Sequence, residues 1–248
     1  MPHLFVDRPR LHDLLSEDPS LSDQFRWETI NAVLYKLGGV AFIAGSVFFF
    51  PSMEAYADLG AWTFIFGSLL YFVVTSHDMI EVLRHARRRS DPPTVWDWLE
   101  YLAGASYLTG TILFTIGSAL FLSSVGFFIA GAWCFVIGSL LFVAGAIVNV
   151  LQIVQAKRMF ILQLMNLTAL TFVTGSVLFT VASIPYLWDI ANPVDRQTIN
   201  GFLAGQYLVG SVLFFLGGVF NYWRVFVVCL LYTSPSPRDR THHLVCRL

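Results

Sequence analysis

Six copies of the dipeptide Gly-Ser constrain the fold of this chain more than any other feature. Each copy lies near the middle of a long apolar segment and is followed by bulky apolar residues. A short motif that returns in every apolar segment predicts an architecture that repeats one small unit. The six copies are Gly45-Ser46, Gly67-Ser68, Gly117-Ser118, Gly138-Ser139, Gly175-Ser176 and Gly210-Ser211.

The composition is that of a membrane protein. Hydrophobic residues make up 56% of the chain and charged residues only 12%, whereas a soluble domain carries about 25% charged residues. The charges also cluster between the apolar runs, as they do in polytopic membrane proteins. The formal net charge of −1 gives no indication of a nucleic-acid partner, so the expected surroundings are a lipid bilayer.

Six segments are long enough to cross a membrane as helices, which requires about 20 mostly apolar residues. The sequence therefore predicts an all-α, polytopic membrane protein with six transmembrane helices. The predicted spans are 31–50, 56–76, 101–122, 127–151, 160–184 and 199–220.

The basic residues alternate between the two sides of these spans. One side carries most of the cations, namely Arg8, Arg10, Arg26, Arg84, Arg87, Arg88, Arg89, Lys157, Arg158 and Arg224. The opposite side carries Glu54 and Asp58, and Arg196 is its only cation. Cytoplasmic loops are enriched in Lys and Arg. We therefore expect a cell inner (plasma) membrane protein with both termini in the cytoplasm.

Aligning the chain on Gly-Ser divides it into three tandem two-helix hairpins. In the second helix of each hairpin, a polar residue lies eleven places after the glycine and another lies fourteen places after it. The third hairpin is the most diverged and has the longest external loop. The predicted divisions are a cytoplasmic N-terminal segment (1–25), hairpins at 26–84, 98–155 and 156–228, a basic cytoplasmic loop (85–97) and a tail (229–248).

Both ends of the chain depart from this repeat. Before span one, Leu21 and Phe25 lie one helical turn apart, which fits either a short interfacial helix or a disordered arm. The tail resembles a translated sequencing adapter, because Cys229 to Asp239 and Leu244 to Leu248 both match adapter bases in one reading frame. A real Pro/Ser-rich tail is the alternative. We expect 229–248 to be non-native and give its Cys and His residues no functional weight.

The hairpins resemble the YrhK-like family of small membrane domains. The resemblance rests on the helix Gly131-Ala-Trp-Cys-Phe-Val-Ile-Gly-Ser-Leu-Leu-Phe142, followed by Asn149-Val-Leu-Gln152, and it is clearest in the first two hairpins. It implies a two-helix membrane module. It implies no established activity, no catalytic residue and no cofactor.

The Gly-Ser motif has two interpretations. Small residues let membrane helices approach closely, and Gly38 and Gly45 illustrate a seven-residue spacing that keeps two glycines on one helix face. The favoured interpretation is thus a helix-packing seam that contains all six glycines and serines. The alternative is a polar path lined by six serine hydroxyls.

Polar residues near the cytoplasmic ends of the helices form a candidate polar layer. Glu28 and Glu100 are expected in first helical turns, where an acid complements the helix dipole. Lys36 is expected to extend to the interface or to pair with one of these glutamates. His77, Asp78 and Glu81 could form a metal or proton site, but their repeat equivalents favour a hydrogen-bonded layer without metal. The layer comprises Glu28, Lys36, Asp78, Glu81, Glu100, Asn149, Gln152 and Asn221.

The sequence limits the function only to broad classes. No nucleotide-binding, zinc-protease or serine-hydrolase motif is present, so we expect no enzyme activity and no cofactor. The leading hypothesis is a non-enzymatic structural or interaction module that forms a homo-oligomer or joins another membrane protein. The alternative is a transporter or channel for a small solute or ion. Against it, the predicted spans lack the internal prolines that often break transporter helices.

Overall fold

The computed structural model describes residues 21–88, 92–153 and 159–233, and it places the side chains of 26–87, 92–153 and 159–227. Six long helices account for most of this part of the chain, and it contains no β-strand. All six are long and apolar enough to span a membrane, which confirms the predicted fold class. The helices are α1 (Leu21–Phe48), α2 (Ala57–Arg88), α3 (Val95–Leu120), α4 (Phe128–Ile153), α5 (Met159–Ser183) and α6 (Pro193–Thr233).

The six helices form a closed ring. Each helix packs against its neighbours in the chain, and α6 packs against α1 to close the ring. The chain thus runs around a central axis as three hairpins, α1–α2, α3–α4 and α5–α6. We call the end where α1 begins and α6 ends the terminal end, and the other the loop end.

At the terminal end, the helices extend beyond the predicted spans. Helix α1 begins at Leu21, so the residues before span one continue the same helix instead of forming a separate interfacial one. Helix α2 continues to Arg88. An apolar run marks only the part that crosses the hydrocarbon, whereas the backbone hydrogen bonds of a helix continue into its polar ends. Residues 1–20 of the N-terminal segment lie outside the described residues.

The predicted tail is only partly described. Helix α6 continues through Thr233, and residues 234–248 lie outside the described residues. The apolar residues that begin the segment can extend a helix whatever their origin. The non-native origin of the tail therefore stays a prediction.

Tight connections join the helices at the loop end. Short 3₁₀ helices, Pro51–Tyr56 and Ile184–Leu187, carry a proline in their first positions, where a missing N–H costs little. Gly126 has a φ of 70°, a value that glycine adopts without strain. The Asp58 carboxylate accepts hydrogen bonds from the backbone N–H and hydroxyl of Ser123. This contact ties the start of α2 to the loop of the second hairpin.

The outer surface of the ring is apolar. Large side chains such as Phe66, Leu140 and Leu170 are 57%, 52% and 65% exposed. Soluble monomers rarely expose contiguous apolar surface on this scale. A ring that is apolar outside and filled with side chains inside suits a bilayer.

Candidate functional site: glycine seams, aromatic core and polar layer

Glycines hold the two helices of the first hairpin close together. A Cβ atom added to Gly67 would lie 3.1 Å from the carbonyl oxygen of Gly38, and one added to Gly45 would lie 3.2 Å from that of Gly60. A contact this short leaves no room for a side chain between the two backbones. Small residues give membrane helices this close approach, so α1 and α2 meet along a glycine seam.

The same seam recurs in the other two hairpins. A Cβ on Gly138 would lie 3.1 Å from the Gly110 carbonyl oxygen. A Cβ on Gly175 would lie 3.1 Å from that of Gly210. In the second hairpin, a Cβ on Gly117 would also lie 3.1 Å from the carbonyl oxygen of Gly131. All six motif glycines therefore lie in contacts within a hairpin, while their contribution to stability stays a prediction.

One pair of motif serines lies between two hairpins. Ser46 on α1 and Ser211 on α6 have their hydroxyl oxygens 3.2 Å apart, and these two helices belong to different hairpins. Successive residues are rotated by about 100° around a helix, so the glycine and the serine of each motif face different directions. All six motif serines are buried, and the hydroxyls of Ser68, Ser139 and Ser176 have no hydrogen-bond partner.

Aromatic rings flank every Gly-Ser pair, and the sequence reasoning missed this regularity. One ring lies three residues before each motif glycine and another lies four residues after it. The two are seven residues apart, so both point to the same side of the helix. The signal was present as an aromatic residue at both offsets in all six copies: Phe42/Phe49, Phe64/Tyr71, Phe114/Phe121, Phe135/Phe142, Phe172/Phe179 and Tyr207/Phe214.

These rings form a ladder inside each hairpin. In the first, Phe49 packs on Phe64, Phe64 on Phe42, and Phe42 on Tyr71, with centroid distances of 5.1, 5.0 and 5.1 Å. The second hairpin repeats the ladder at 5.2, 5.1 and 5.0 Å. Such distances are typical of favourable aromatic pairs. The ladders fill the space that the glycines leave beside the seam.

The ladders of all three hairpins meet at the axis of the ring. Phe42 and Phe114 lie 6.4 Å apart, Phe114 and Phe179 lie 5.6 Å apart, and Phe42 and Phe179 lie 6.4 Å apart. Phe114 and Phe179 are 1% and 0% exposed. Each hairpin thus contributes one ring to a central aromatic cluster. At this level the axis is occupied by aromatic side chains.

A buried polar layer lies at the terminal end, between the aromatic cluster and the ends of the helices. Its members come from α2, α4 and α6 at repeat-equivalent positions, eleven and fourteen residues after the motif glycine. They form three dyads, which are Asp78/Glu81, Asn149/Gln152 and Asn221/Arg224. None of the six side chains is more than 6% exposed. The repeat therefore brings all three dyads into the interior.

Hydrogen bonds connect members of this layer to a neighbouring helix and to each other. Nδ2 of Asn149 donates to the hydroxyl of Tyr107 on α3 at 2.8 Å. The Arg224 guanidinium donates to Oδ1 of Asn221 at 3.1 and 3.2 Å. Two acceptors, Oδ1 of Asn149 and Oε1 of Gln152, are buried without a partner.

Asn31 and His77 also lie at this end of the bundle. The predicted polar layer included neither residue. Nδ2 of Asn31 lies 2.7 Å from Nδ1 of His77, and both side chains are buried. The described residues include no group of three His, Cys, Asp or Glu arranged to hold a metal ion. The metal or proton site at His77, Asp78 and Glu81 stays an alternative prediction.

The remaining predicted members behave differently. Glu28 and Glu100 are half-buried, and neither lies in a first helical turn, because α1 begins at Leu21 and α3 at Val95. The dipole interpretation is therefore wrong, since that effect fades beyond the first turn. Lys36 is half-buried with its Nζ 4.3 Å from the centroid of the Tyr222 ring, a cation–π contact that the sequence did not predict.

Comparison with known proteins finds a similarity for two of the three hairpins. A family model described as YrhK-like protein matches residues 25–83 and 98–154. These regions coincide with the first two hairpins, and each contains one glycine seam and one aromatic ladder. No match was found among curated proteins or among solved structures.

Proposed function

We propose a function from the geometry, because the YrhK-like family model that matches residues 25–83 and 98–154 carries no biochemical role in its description. We propose that the chain is a non-enzymatic structural or interaction module of the cell inner membrane. It repeats a two-helix unit to make a closed, solidly packed ring. Its partners are the lipid bilayer and, around its apolar perimeter, further copies of itself or another membrane protein.

The aromatic cluster at the axis carries this proposal. Phe42, Phe114 and Phe179 approach one another to within 6.4 Å from three different hairpins. A path for a solute along the axis would have to pass between these rings. Protein interiors packed in this way are rigid at the level of the time average, which favours a scaffold over a conduit.

The orientation is part of the proposal. The cations of the chain gather at the terminal end, in the loop between α2 and α3 and near Arg224. The positive-inside rule then assigns the terminal end, with both termini and the polar layer, to the cytoplasm. The loop end, with Glu54 and Asp58, faces the opposite side.

The polar layer supports a non-enzymatic role through its hydrogen bonds. Asn149 on α4 donates to Tyr107 on α3, whereas Arg224 and Asn221 bond within α6. Side chains that bond one another across helices act in assembly.

A transporter or channel is the second candidate, because ionisable groups buried in a membrane protein often mark an ion path.

Measuring ion flux through proteoliposomes distinguishes the scaffold from the transporter or channel. Vesicles with the wild-type chain should leak small cations and anions no faster than protein-free vesicles. Phe114→Ala should lower the unfolding temperature without creating flux, whereas Phe66→Ala, on the lipid-facing surface, should change neither. If the wild-type chain conducts ions and Phe114→Ala increases that flux, the scaffold proposal is wrong and the chain is a channel gated by the aromatic cluster.

The interaction part of the proposal needs its own measurement. Single-molecule photobleaching of the labelled chain in native membrane vesicles counts the copies in each complex, and cross-linking identifies other subunits. We expect more than one subunit in each complex. Single copies without cross-linked neighbours at native abundance would contradict a role in assembly.

A further inference from the structure

The outward face of α5 carries amide side chains, whereas lipid-facing surfaces are ordinarily apolar. Gln163 and Asn166 are both exposed on this face, beside the large apolar side chain of Leu170. Among the described residues of the six predicted spans, these two carry the only exposed carboxamides. The outer surface of the ring is therefore not uniform, and α5 differs from the other five helices.

The exposed residues of α5 form one stripe. Gln163, Asn166, Leu170, Thr174 and Val177 follow one another at intervals of three or four residues, and all five are exposed. Such intervals place side chains on one face of an α-helix. The stripe runs along the outside of the ring, because α5 uses its other faces to pack against α4 and α6.

The carboxamide of Asn166 lies at the depth of the hydrocarbon. Asn166 belongs to the predicted span 160–184 and lies about 9 Å along the helix from the middle of that span, whereas the hydrocarbon extends about 15 Å from its centre. Neither Asn166 nor Gln163 has a hydrogen-bond partner among the described residues. A polar group in an apolar medium is unfavourable without such a partner, and lipid tails supply none.

A second copy of the chain supplies the missing bonds. All copies insert into the membrane in the same orientation, so a two-fold axis along the membrane normal makes two α5 helices parallel neighbours. A two-fold interface uses the same surface patch on both subunits, which brings Asn166 and its counterpart to the same depth. A carboxamide both donates and accepts hydrogen bonds, and it is therefore complementary to itself.

We propose that the chain forms a homodimer through the stripe on α5, with Asn166 bonding its counterpart across the two-fold axis. Leu170 and Val177 pack against their own counterparts in the following turns. A single polar residue in an apolar helix seam fixes the register of the two helices. This inference rests on the interaction role in the proposed function, and it specifies both the surface and the partner.

Counting copies by single-molecule photobleaching in liposomes, over a range of protein-to-lipid ratios, tests the dimer. We expect Asn166→Leu to raise the Kd of the dimer about tenfold, which corresponds to about 1.4 kcal/mol, because an interhelical hydrogen bond is lost. Asn166→Gln should retain most of the affinity. Thr109→Leu is the matched control, since Thr109 is exposed on α3 at nearly the same distance before its motif glycine, and it should leave the Kd unchanged. All three variants should keep the wild-type circular dichroism spectrum, because none of these side chains is buried in the ring.

Cysteine cross-linking in membranes locates the interface. The full-length chain carries Cys134→Ala, Cys229→Ser and Cys246→Ser, so that each added cysteine is the only one. Leu170→Cys should then form a disulfide-linked dimer under mild oxidation, because the two-fold axis brings residue 170 of both copies together. Leu140→Cys, on the exposed surface of α4, should remain monomeric under the same conditions.

The outcomes distinguish this inference from the proposed function. Complexes that persist in Asn166→Leu, without a cross-link at residue 170, would overturn the α5 interface and leave the assembly role intact. A cross-link from residue 170 to a different membrane protein would replace the second copy with that protein. Single wild-type copies at every protein-to-lipid ratio would overturn the homodimer, and the interaction role would then require a different subunit in native membranes.

Discussion

Replacing Gly138 tests whether the glycine seam holds the hairpins together. A Cβ at this position would lie 2.9 Å from Cδ2 of Phe114 and 3.1 Å from the carbonyl oxygen of Gly110. The backbone cannot give way without separating α3 from α4. Overpacking of this kind typically costs about 1–3 kcal/mol. Gly138→Ala should therefore lose about that amount relative to a Gly→Ala change at an unconfined helix position, and Gly138→Leu should lose more.

Gly205 provides the matched control. It lies inside α6, and a Cβ there would meet nothing within 4 Å. Both alanine substitutions gain about 1 kcal/mol of helix propensity, so the difference between them isolates the steric term. We expect Gly138→Ala to unfold at a lower temperature than Gly205→Ala, in detergent and in nanodiscs alike. Equal unfolding temperatures for the two variants would show that the seam contributes nothing.

Three other predictions concern the serines, the topology and the tail. Ser139→Ala should change the unfolding temperature far less than Gly138→Leu, because the Ser139 hydroxyl has no partner and interhelical membrane hydrogen bonds average only about 0.6 kcal/mol; if it abolished a measurable flux instead, the serine-lined path would be supported. A reporter fused after Val227 should give a cytoplasmic signal in cells, and a periplasmic signal would reverse the orientation. Deleting 229–248 should leave membrane insertion and the unfolding temperature unchanged, and a clear loss of either would identify the segment as native.

The helices could be predicted because the bilayer simplifies the problem. An apolar run of sufficient length has one stable structure in lipid, since its backbone must bond internally. Six such runs, with short turns such as the one at Gly126, therefore predict three hairpins. The ends were predicted less well, because the continuation of α1 back to Leu21 depends on polar residues whose helical state no hydropathy pattern reports.

The sequence alone could not predict that the helices close into a ring or that aromatic side chains fill its axis. The contact between Ser46 and Ser211 joins residues near opposite ends of the chain, and the motif alone specifies no partner for either serine. The aromatic ladder was available in the sequence but resembles ordinary membrane composition until its offsets are compared. The contact of Lys36 with Tyr222 depends on the rotation of α1 against α6, which no local pattern determines.

One dipeptide can build a closed ring because its two residues face different neighbours. The glycine admits the partner helix of its own hairpin, and the serine, rotated by about 100°, faces another direction, in which Ser46 meets Ser211 of the neighbouring hairpin. A unit of this kind can be copied without new contacts, since heterologous interfaces close into rings when the rotation allows.

The polar layer cannot follow the same rule, because all three of its dyads are buried at the same end of the bundle. Three copies of Asp78 and Glu81 would bring six carboxylates together, and like charges in a buried site are strongly unfavourable. The equivalents are instead Asn149 with Gln152 and Asn221 with Arg224. Divergence between the hairpins is therefore concentrated where identity would be unfavourable, while the Gly-Ser motif, which contacts different surfaces, remains the same in all six helices.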